Sequence, residues 1–479
     1  MQQRTALLRR AAILSVAGFL LGTTALLPLM EPFVNAAVVA VGRSPWGALA
    51  GPAVLGAVLG VGATLVARRL TRAGTARRAA VRGARLLLHL WPVVVLTAVY
   101  PFASRRMAGH TVGGVELTTF LLAVALTAPW LTQGVCMPLY RVLCPLREAG
   151  DVAALRRAFC AVWPTTFLQS VPVLLLCAVP LRLILHWSPQ ALAAYLVLLA
   201  LDVLFAQALV LANLGLSRIA WALAWTGYAL PVVLVPTFWY LPPLLGVLTQ
   251  VVRLRRYLKV RPTWVPVGQL ARDLSRGLLL GAVMWADKVF YFFRSAGDFP
   301  VTTVFLALLP AVLAYSYYFI CLAPEFDASV VRLRQAMQTE PLCELREYSR
   351  DVSRTVATSV RRTALLGAVC VSITSWALTA DRKTAALVAA VSVASWLFTM
   401  ITVLCYKLDY IGEHLPGQGF GAAHVLACAA AFGFLPAGPV AYIALTAVDL
   451  IAVTVVFALF RRAWRTAEYT FFWQHALAW

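Results

Sequence analysis

Long apolar segments recur along almost all of this 479-residue chain, and they constrain its fold more than any other feature. A helix needs ~20 residues to cross the hydrocarbon core of a bilayer. Backbone polar groups in lipid must be satisfied within the segment, so such runs form helices. The runs lie at about 11–30, 46–67, 84–103, 116–139, 158–180, 190–212, 218–237, 239–252, 277–297, 301–323, 363–380, 385–406, 418–436 and 439–460. The sequence therefore predicts an all-α polytopic membrane protein with about 14 transmembrane helices.

Composition leaves little room for a separate soluble domain. Hydrophobic residues make up 61% of the chain and charged residues 13%, whereas soluble domains are roughly 45–50% apolar. The net charge of +22 would suggest nucleic acid in a soluble protein. Here the basic residues fall in short loops between apolar runs, a distribution typical of membrane topology. We therefore expect the lipid bilayer, and no nucleic acid, as a partner.

Basic residues also predict the orientation. If the chain has 14 spans, the loops on the outer side of the membrane hold only seven of the 41 Lys and Arg residues. Cytoplasmic loops are enriched in these residues, so both termini are expected in the cytoplasm. Arg4, Arg9 and Arg10 precede a full-length span without a small-residue cleavage site, so no cleavable signal peptide is expected. The predicted location is the inner membrane of a bacterium.

Three stretches are less clear from sequence. Ile219–Val252 could form one long helix or two short ones, and Pro236, Pro242 and Pro243 favour a hairpin. Residues 263–277 carry an apolar stripe, which predicts a separate interfacial amphipathic helix. Residues 326–362 predict a helical hairpin on the membrane face. Both connectors could instead be solvated linkers or could dock a cytoplasmic partner.

Charged residues at mid-span are the first candidates for function. Asp287 and Lys288 lie about ten residues into an apolar segment, near the bilayer midplane, where a charge costs at least ~2.5 kcal/mol. Asp202 and Asp449 lie similarly deep in their own spans. Consecutive helical residues point about 100° apart, which predicts that Asp287 and Lys288 do not pair well with each other. One arrangement pairs Lys288 with Asp202 and leaves Asp287 to meet substrate or a coupling proton or sodium ion. The alternative is a set of internally satisfied ion pairs.

Histidines and aromatic residues within the spans are further candidates for function. His89 and His424 lie within spans and are expected to satisfy neighbouring polar groups rather than to carry protons. Aromatic residues cluster at 290–293 and 315–318, where they could form an interfacial belt or a stacking surface for sugar rings. The chain has no GxxxxGK[ST], HExxH, GxSxG or CxxC motif and no long outer loop. We therefore expect neither an enzyme nor a bound cofactor.

Three stretches carry a resemblance to a known family. Trp285 to Phe292 reads WADKVFYF and resembles the Trp-x-Asp-Lys-x-x-Phe-Trp signature of the PelG-type membrane subunit of exopolysaccharide export. Ala323 to Asp327 (APEFD) resembles its acidic-Phe element, and Thr127–Phe159, with Arg141 and Gly150-Asp151, resembles a third stretch. Pro145 and Phe293 depart from the pattern. That group belongs to the multidrug/oligosaccharidyl-lipid/polysaccharide (MOP) flippase superfamily.

The resemblance implies two six-helix lobes in a V around a central cavity. They would span residues 80–252 and 277–462, joined by a basic amphipathic linker at 253–276, with a cytoplasmic connector at 326–362 inside the second lobe. An extra N-terminal helix pair would occupy 1–79, and a cytoplasmic tail 463–479.

The implied function is translocation of an exopolysaccharide or lipid-linked glycan by alternating access. Asp287, Lys288, Asp202, Asp449 and Trp285 would line the cavity. The secondary candidates are Glu325, Arg141, Tyr291 and Tyr315. A cytoplasmic glycosyltransferase and other membrane subunits are the expected partners. The alternatives are a cation-coupled drug exporter of the same superfamily and a membrane scaffold of a polysaccharide synthase complex.

Overall fold

The computed structural model describes residues 74–257, 260–377 and 382–466, and Tyr469. The predicted N-terminal pair of spans at 11–67 lies outside the described residues. The described elements are α1 (Gly74–Met107), β1 (Thr111–Val112), β2 (Val115–Glu116), α2 (Leu117–Val135), α3 (Met137–Glu148), α4 (Val152–Leu183), α5 (Pro189–Ala208), α6 (Arg218–Leu234), α7 (Leu241–Leu254), α8 (Val267–Arg294), α9 (Val301–Tyr317), α10 (Ala323–Thr339), α11 (Leu342–Ala377), α12 (Arg382–Tyr410), α13 (Leu415–Phe434) and α14 (Pro439–Ala463).

The predicted class, an all-α multi-pass membrane protein, is confirmed. Among the described residues, seven helices are long and apolar enough to cross a membrane, and α6 and α7 are shorter apolar helices. The strands β1 and β2 form only a small antiparallel hairpin between α1 and α2. The helix α9 continues through a π turn at Tyr318–Leu322 into α10, so the two form one long unit.

Polar residues set the helix starts, as elementary capping rules require. Asp151 accepts a hydrogen bond from the backbone N–H of Ala154 at 2.8 Å and begins α4. Ser188 and Ser217 do the same for α5 and α6. Each side chain satisfies a backbone donor that the first helical turn leaves open. The cap at Ser217 also separates α6 from the preceding π turn.

The hairpin predicted for Ile219–Val252 is confirmed, because α6 ends at Leu234 and α7 begins at Leu241. The separate amphipathic helix predicted at 263–277 is wrong. Residues 267–276 form the first turns of α8, which runs unbroken to Arg294. Leu270 and Leu274, from the predicted apolar stripe, are buried against protein rather than available to lipid. Residues 326–362 do form a helical hairpin, but both helices, α10 and α11, extend directly from apolar spans.

Following the division predicted from the sequence, we call α1–α7 the first lobe and α8–α14 the second lobe. Within the second lobe α12 is central: it packs against α8, α9, α11, α13 and α14. In the most apolar stretch of α12, 83% of the residues are buried inside the protein. The corresponding share for α14 is 22%. Polar side chains on α12, and those facing it, must therefore find partners within the protein.

One long seam joins the lobes. The helices α2 and α8 run side by side, with glycines where they approach closely: a Cβ at Gly277 would lie 2.4 Å from the carbonyl oxygen of Gln133. Nearby, Trp130 Nε1 donates to the carbonyl of Leu278 at 2.8 Å. Towards the other end of α8, Gly297 lies against Thr119 at the start of α2. Only glycine permits this backbone approach at position 277.

Candidate functional site

Asp287 and Lys288 lie at the buried centre of α8, with 0% and 1% of their surfaces exposed. Lys288 Nζ donates to both carboxylate oxygens of Asp287 at 2.9 Å and to the carbonyl of Met284 at 3.0 Å. The prediction that these neighbours do not pair well with each other is therefore wrong. The 100° rule describes the Cβ directions, and the long lysine chain folds back far enough to reach the preceding carboxylate.

A second polar group lies on α13 and α14 of the same lobe. His424 Nδ1 is 3.1 Å from Asp449 Oδ1, and His424 Nε2 is 3.3 Å from Cys428 Sγ. His424 and Asp449 are 3% and 1% exposed, and Cys428 is fully buried. A neutral imidazole satisfies this chain: Nδ1–H donates to Asp449, and Nε2 accepts the thiol proton of Cys428. The other oxygen of Asp449 has no hydrogen-bond partner among the described residues.

The two groups form one cluster. Cys428 lies close enough to interact electrostatically with Asp287, Lys288 and Asp449. Tyr442 on α14 is fully buried beside Asp287. We call Asp287, Lys288, His424, Cys428, Tyr442 and Asp449 the second-lobe cluster. The structure thus brings three of the predicted site residues together and adds three that lie on α13 and α14.

The net charge of the second-lobe cluster depends on its ionisable side chains. Two carboxylates and one ammonium, with a neutral imidazole, sum to a formal charge of −1. Its charged and imidazole side chains are at most 3% exposed, so bulk water does not compensate this charge. Removing an ion from water costs several kcal/mol unless it is paired. One proton on the Asp449–His424 pair would make the cluster neutral.

Asp202 lies apart from the cluster, so the pairing of Lys288 with Asp202 is wrong. It is on α5 in the first lobe, next to Tyr228 of α6, and its side chain is half-buried. Lys288 instead has Asp287 as its counter-ion and lies 5.3 Å from the centre of the Phe398 ring. Each lobe therefore holds its deep charges separately.

Tyr140 of the first lobe lies near a row of half-buried aromatic residues in the second lobe. Tyr140 on α3 interacts with Tyr315 on α9, and Asn213 donates to the Tyr140 hydroxyl at 2.5 Å. Tyr315 packs against Phe319 at 4.6 Å between ring centres, and Phe319 packs against Tyr406 at 5.3 Å. Tyr140, Tyr315 and Tyr406 each keep part of their surface exposed. We call Tyr140, Tyr315, Phe319 and Tyr406 the aromatic row.

The remaining candidates lie in three places. Arg141 forms an ion pair with Asp273 of α8 and donates to the carbonyl of Gln269 at 3.2 Å, so it joins the lobes at one end of the seam. Glu325 lines a cleft between α10 and α11. Trp285 is half-buried on α8. Tyr291 stacks on Phe432 and meets Tyr442 edge-on, at the border of the second-lobe cluster.

Arg141 lies outside the membrane-spanning segments, and its surroundings change its pKa. Burial, and then repulsion by Arg272 and Arg276, lower the pKa of Arg141. A guanidinium keeps its proton under such conditions. The ion pair with Asp273 therefore offsets the local crowding of positive charge at this end of α8.

Lys407 is the charged residue that the sequence interpretation missed. It lies on α12, fully buried, and Nζ has no hydrogen-bond partner among the described residues. The ammonium instead lies over the Phe326 ring, 3.1 Å from its centre, and 5.2 Å from that of Tyr318. From sequence, Lys407 falls just beyond the apolar run at 385–406 and so reads as an interfacial residue. The sequence does not reveal the partners of His424, because Asp449 is distant in sequence and Cys428 lies one helical turn away.

Among the described residues no group of three or more His, Cys, Asp and Glu side chains could hold a metal ion. No protein-family model and no curated protein sequence matches the chain.

Several solved structures are similar in fold. One is MATE in complex with MaD5, at 12% identity over 81% of this chain and 97% of that chain, with a TM-score of 0.47. Another is an outward-facing multidrug resistance MATE family transporter of the MOP superfamily, at 13% identity over 81% and 96%, with a TM-score of 0.46. A third is a MOP superfamily transporter from Pyrococcus furiosus, at 12% identity over 81% and 97%, with a TM-score of 0.48. Likenesses at this level set no limit on the substrate of this chain.

Proposed function

We propose that this chain is a membrane translocator of an exopolysaccharide or lipid-linked glycan, and that one proton on the second-lobe cluster drives its alternating access. The observation that carries the proposal is the burial of two carboxyl groups, Asp287 and Asp449, beside the single ammonium group of Lys288. A charge of this kind costs several kcal/mol in a dry interior. A protein that keeps it gains a group whose protonation changes the packing of the surrounding helices.

The cluster is built on helices that can respond. Asp287 and Lys288 are on α8, which forms the long seam with the first lobe. His424 and Asp449 are on α13 and α14, which pack against α8 and α12. With the proton bound, the neutral cluster stays closed and the helices remain packed. When the proton leaves, Asp449 requires water or another donor, and α13 and α14 shift relative to α8. A two-state element of this type can couple proton movement to opening of the seam.

The aromatic row supports a glycan as cargo. Sugar rings present an apolar face, and the half-buried rings of Tyr140, Tyr315 and Tyr406 offer both flat surfaces and hydroxyl groups. The resemblance around Trp285 to Phe292 points to the same class of substrate. The chain would act in the inner membrane of a bacterium, with both termini cytoplasmic. It would receive its cargo from a cytoplasmic glycosyltransferase, alongside other membrane subunits.

Export of cationic drugs is the second candidate. Asp202, half-buried next to Tyr228 in the first lobe, offers a carboxylate and an aromatic ring to a cation. A cation over an aromatic ring gains about 0.5–2 kcal/mol. The same pair would also suit a polymer rich in amino sugars, so only the cargo itself separates the two candidates.

The test compares surface glycan and drug tolerance in strains lacking the gene or carrying Asp449→Asn, Asp287→Asn or Lys288→Met. Glycan export predicts that surface glycan is lost in all four, with the variant proteins still in the membrane. Asp351→Asn is the matched control, because Asp351 pairs with Arg332 on the surface and is 58% exposed. Normal surface glycan together with lost drug tolerance would assign the drug-export function. Normal values of both in the three variants would overturn the site.

A further inference from the structure

A polar cleft between α10 and α11 is not used by the proposed translocation mechanism. It encloses about 190 Å³ and is lined by Leu322, Glu325 and, from α11, two arginines and three hydroxyl side chains. Arg354, Thr358 and Arg362 are four residues apart and therefore lie on one helix face. Thr355 and Ser359 flank them. We propose that this cleft binds the phosphoryl headgroup of an anionic membrane lipid.

The charge and the donors of the cleft suit one phosphodiester. Arg354 and Arg362 supply two guanidinium groups and Glu325 one carboxylate, which sum to +1. Guanidinium binds phosphate oxygens through paired hydrogen bonds, and threonine hydroxyls add single donors. The cleft volume is small, so it accommodates a headgroup and excludes a folded partner.

The position along α11 selects a lipid over a soluble anion. Before Arg354 the helix is rich in charge, and after Arg362 it becomes apolar. Leu365 and Val369 lie three and seven residues beyond Arg362, on the same face, and are 60% and 36% exposed. Trp376 further along is 75% exposed. A headgroup in the cleft would therefore place its hydrocarbon chain along Leu365 and Val369, where a soluble phosphate would make no contact.

This site does not depend on the cargo or on the proton step. The cleft lies between α10 and α11, and none of its lining residues belongs to the second-lobe cluster. By the predicted topology it faces the cytoplasmic leaflet, whose anionic lipids attract basic residues near the membrane surface. The lipid would act as a resident ligand that fastens α10 to α11.

The experiment measures binding of phosphatidylglycerol to the full chain in detergent by native mass spectrometry, with phosphatidylcholine and inorganic phosphate as comparison probes. Each of Arg354→Gln and Arg362→Gln should weaken phosphatidylglycerol binding about fivefold, as loss of one basic group near a membrane surface implies. Glu325→Gln should strengthen it, because a carboxylate leaves the cleft. Arg361→Gln is the matched control: Arg361 is the exposed neighbour of Arg362 and does not line the cleft.

Thermal unfolding without added lipid checks that each variant is folded, and Thr358→Val provides a further variant that leaves the charge unchanged. The proposal is overturned if Arg361→Gln weakens binding as much as Arg362→Gln. It is also overturned if phosphatidylcholine binds as tightly as phosphatidylglycerol. Displacement of the lipid by inorganic phosphate at equal concentration would show a simple anion site instead of a lipid site.

Discussion

Two buried lysines in the second lobe differ in the hydrogen bonds that their ammonium groups form. Lys288 on α8 has a carboxylate, a backbone carbonyl and an aromatic ring around its ammonium group. Lys407 on α12 has no hydrogen-bond partner among the described residues; it faces two aromatic rings and lies near enough to the Asp327 carboxylate to interact electrostatically. Both are at most 1% exposed. Equal burial therefore does not imply an equal role: one lysine neutralises a charged cluster, and the other contributes a cation to an aromatic environment.

The largest effect is expected for Lys288→Met. Methionine keeps the apolar volume but leaves the Asp287 carboxylate buried and unpaired. Loss of one partner of a buried ion pair costs about 3–5 kcal/mol. Thermal or denaturant unfolding of the purified protein in detergent measures this loss. If Lys288→Met is as stable as the wild type, the ion pair seen in the structure does not support the second lobe.

The double variant Asp287→Asn/Lys288→Met should recover most of that loss. With both charges removed, no buried ion remains without a partner, so the free energy of unfolding should return to within about 1–2 kcal/mol of the wild type. The same unfolding measurement applies, with each single variant alongside. A double variant no more stable than Lys288→Met would mean that the lysine acts through packing and not through charge.

The intermediate effect is expected for Phe326→Leu, which removes the ring beneath Lys407. Phe326 is fully buried and also packs against Tyr410 and Trp464. Losing ring volume and the cation–π contact should cost about 1–3 kcal/mol. In a Lys407→Met background the cost should fall by about 0.5–2 kcal/mol. An unchanged cost in that background would show that the ammonium gains nothing from the ring.

The smallest effect is expected for Lys407→Met alone. The substitution removes a buried cation without a hydrogen bond and also removes its aromatic contacts, and the two contributions oppose each other. The free energy of unfolding should stay within about 1 kcal/mol of the wild type. A loss as large as that of Lys288→Met would remove the contrast between the two lysines and would mean that the nearby Asp327 carboxylate acts as the counter-ion of Lys407.

The contrast also shows how far the sequence could predict this molecule. Apolar runs and basic loops predicted the helical membrane class, and the prolines at 236, 242 and 243 predicted the break between α6 and α7. Asp287, Lys288 and Asp449 were predicted because they interrupt apolar runs at mid-span. Their partners were not, since hydrogen bonds among α8, α13 and α14 depend on which helix faces meet. Lys407 was missed because it lies at the edge of its apolar run, where the sequence cannot distinguish burial from exposure.

The extent of α8 was mispredicted for a related reason. The charged residues at 272, 273 and 276 predicted an interfacial linker. In the structure Asp273 pairs with Arg141 and Arg276 pairs with Asp409, so the helix continues through them. Such pairs join residues more than 100 positions apart, beyond the reach of local patterns.

The most direct test of the account is whether protonation of Asp449 sets the arrangement of the lobes. Spin labels attached through noncanonical residues at Gln190 and Ala437, both exposed and in different lobes, would report the distance between the lobes while Cys428 stays in place. We expect the distance distribution of the wild type to differ between alkaline and acidic buffer, because in the proposed mechanism one proton sets the arrangement of the lobes. Asp449→Asn, which mimics the protonated carboxyl, should stay in the low-pH distribution throughout. A pH-dependent shift in Asp449→Asn equal to that of the wild type would contradict the proton-driven mechanism.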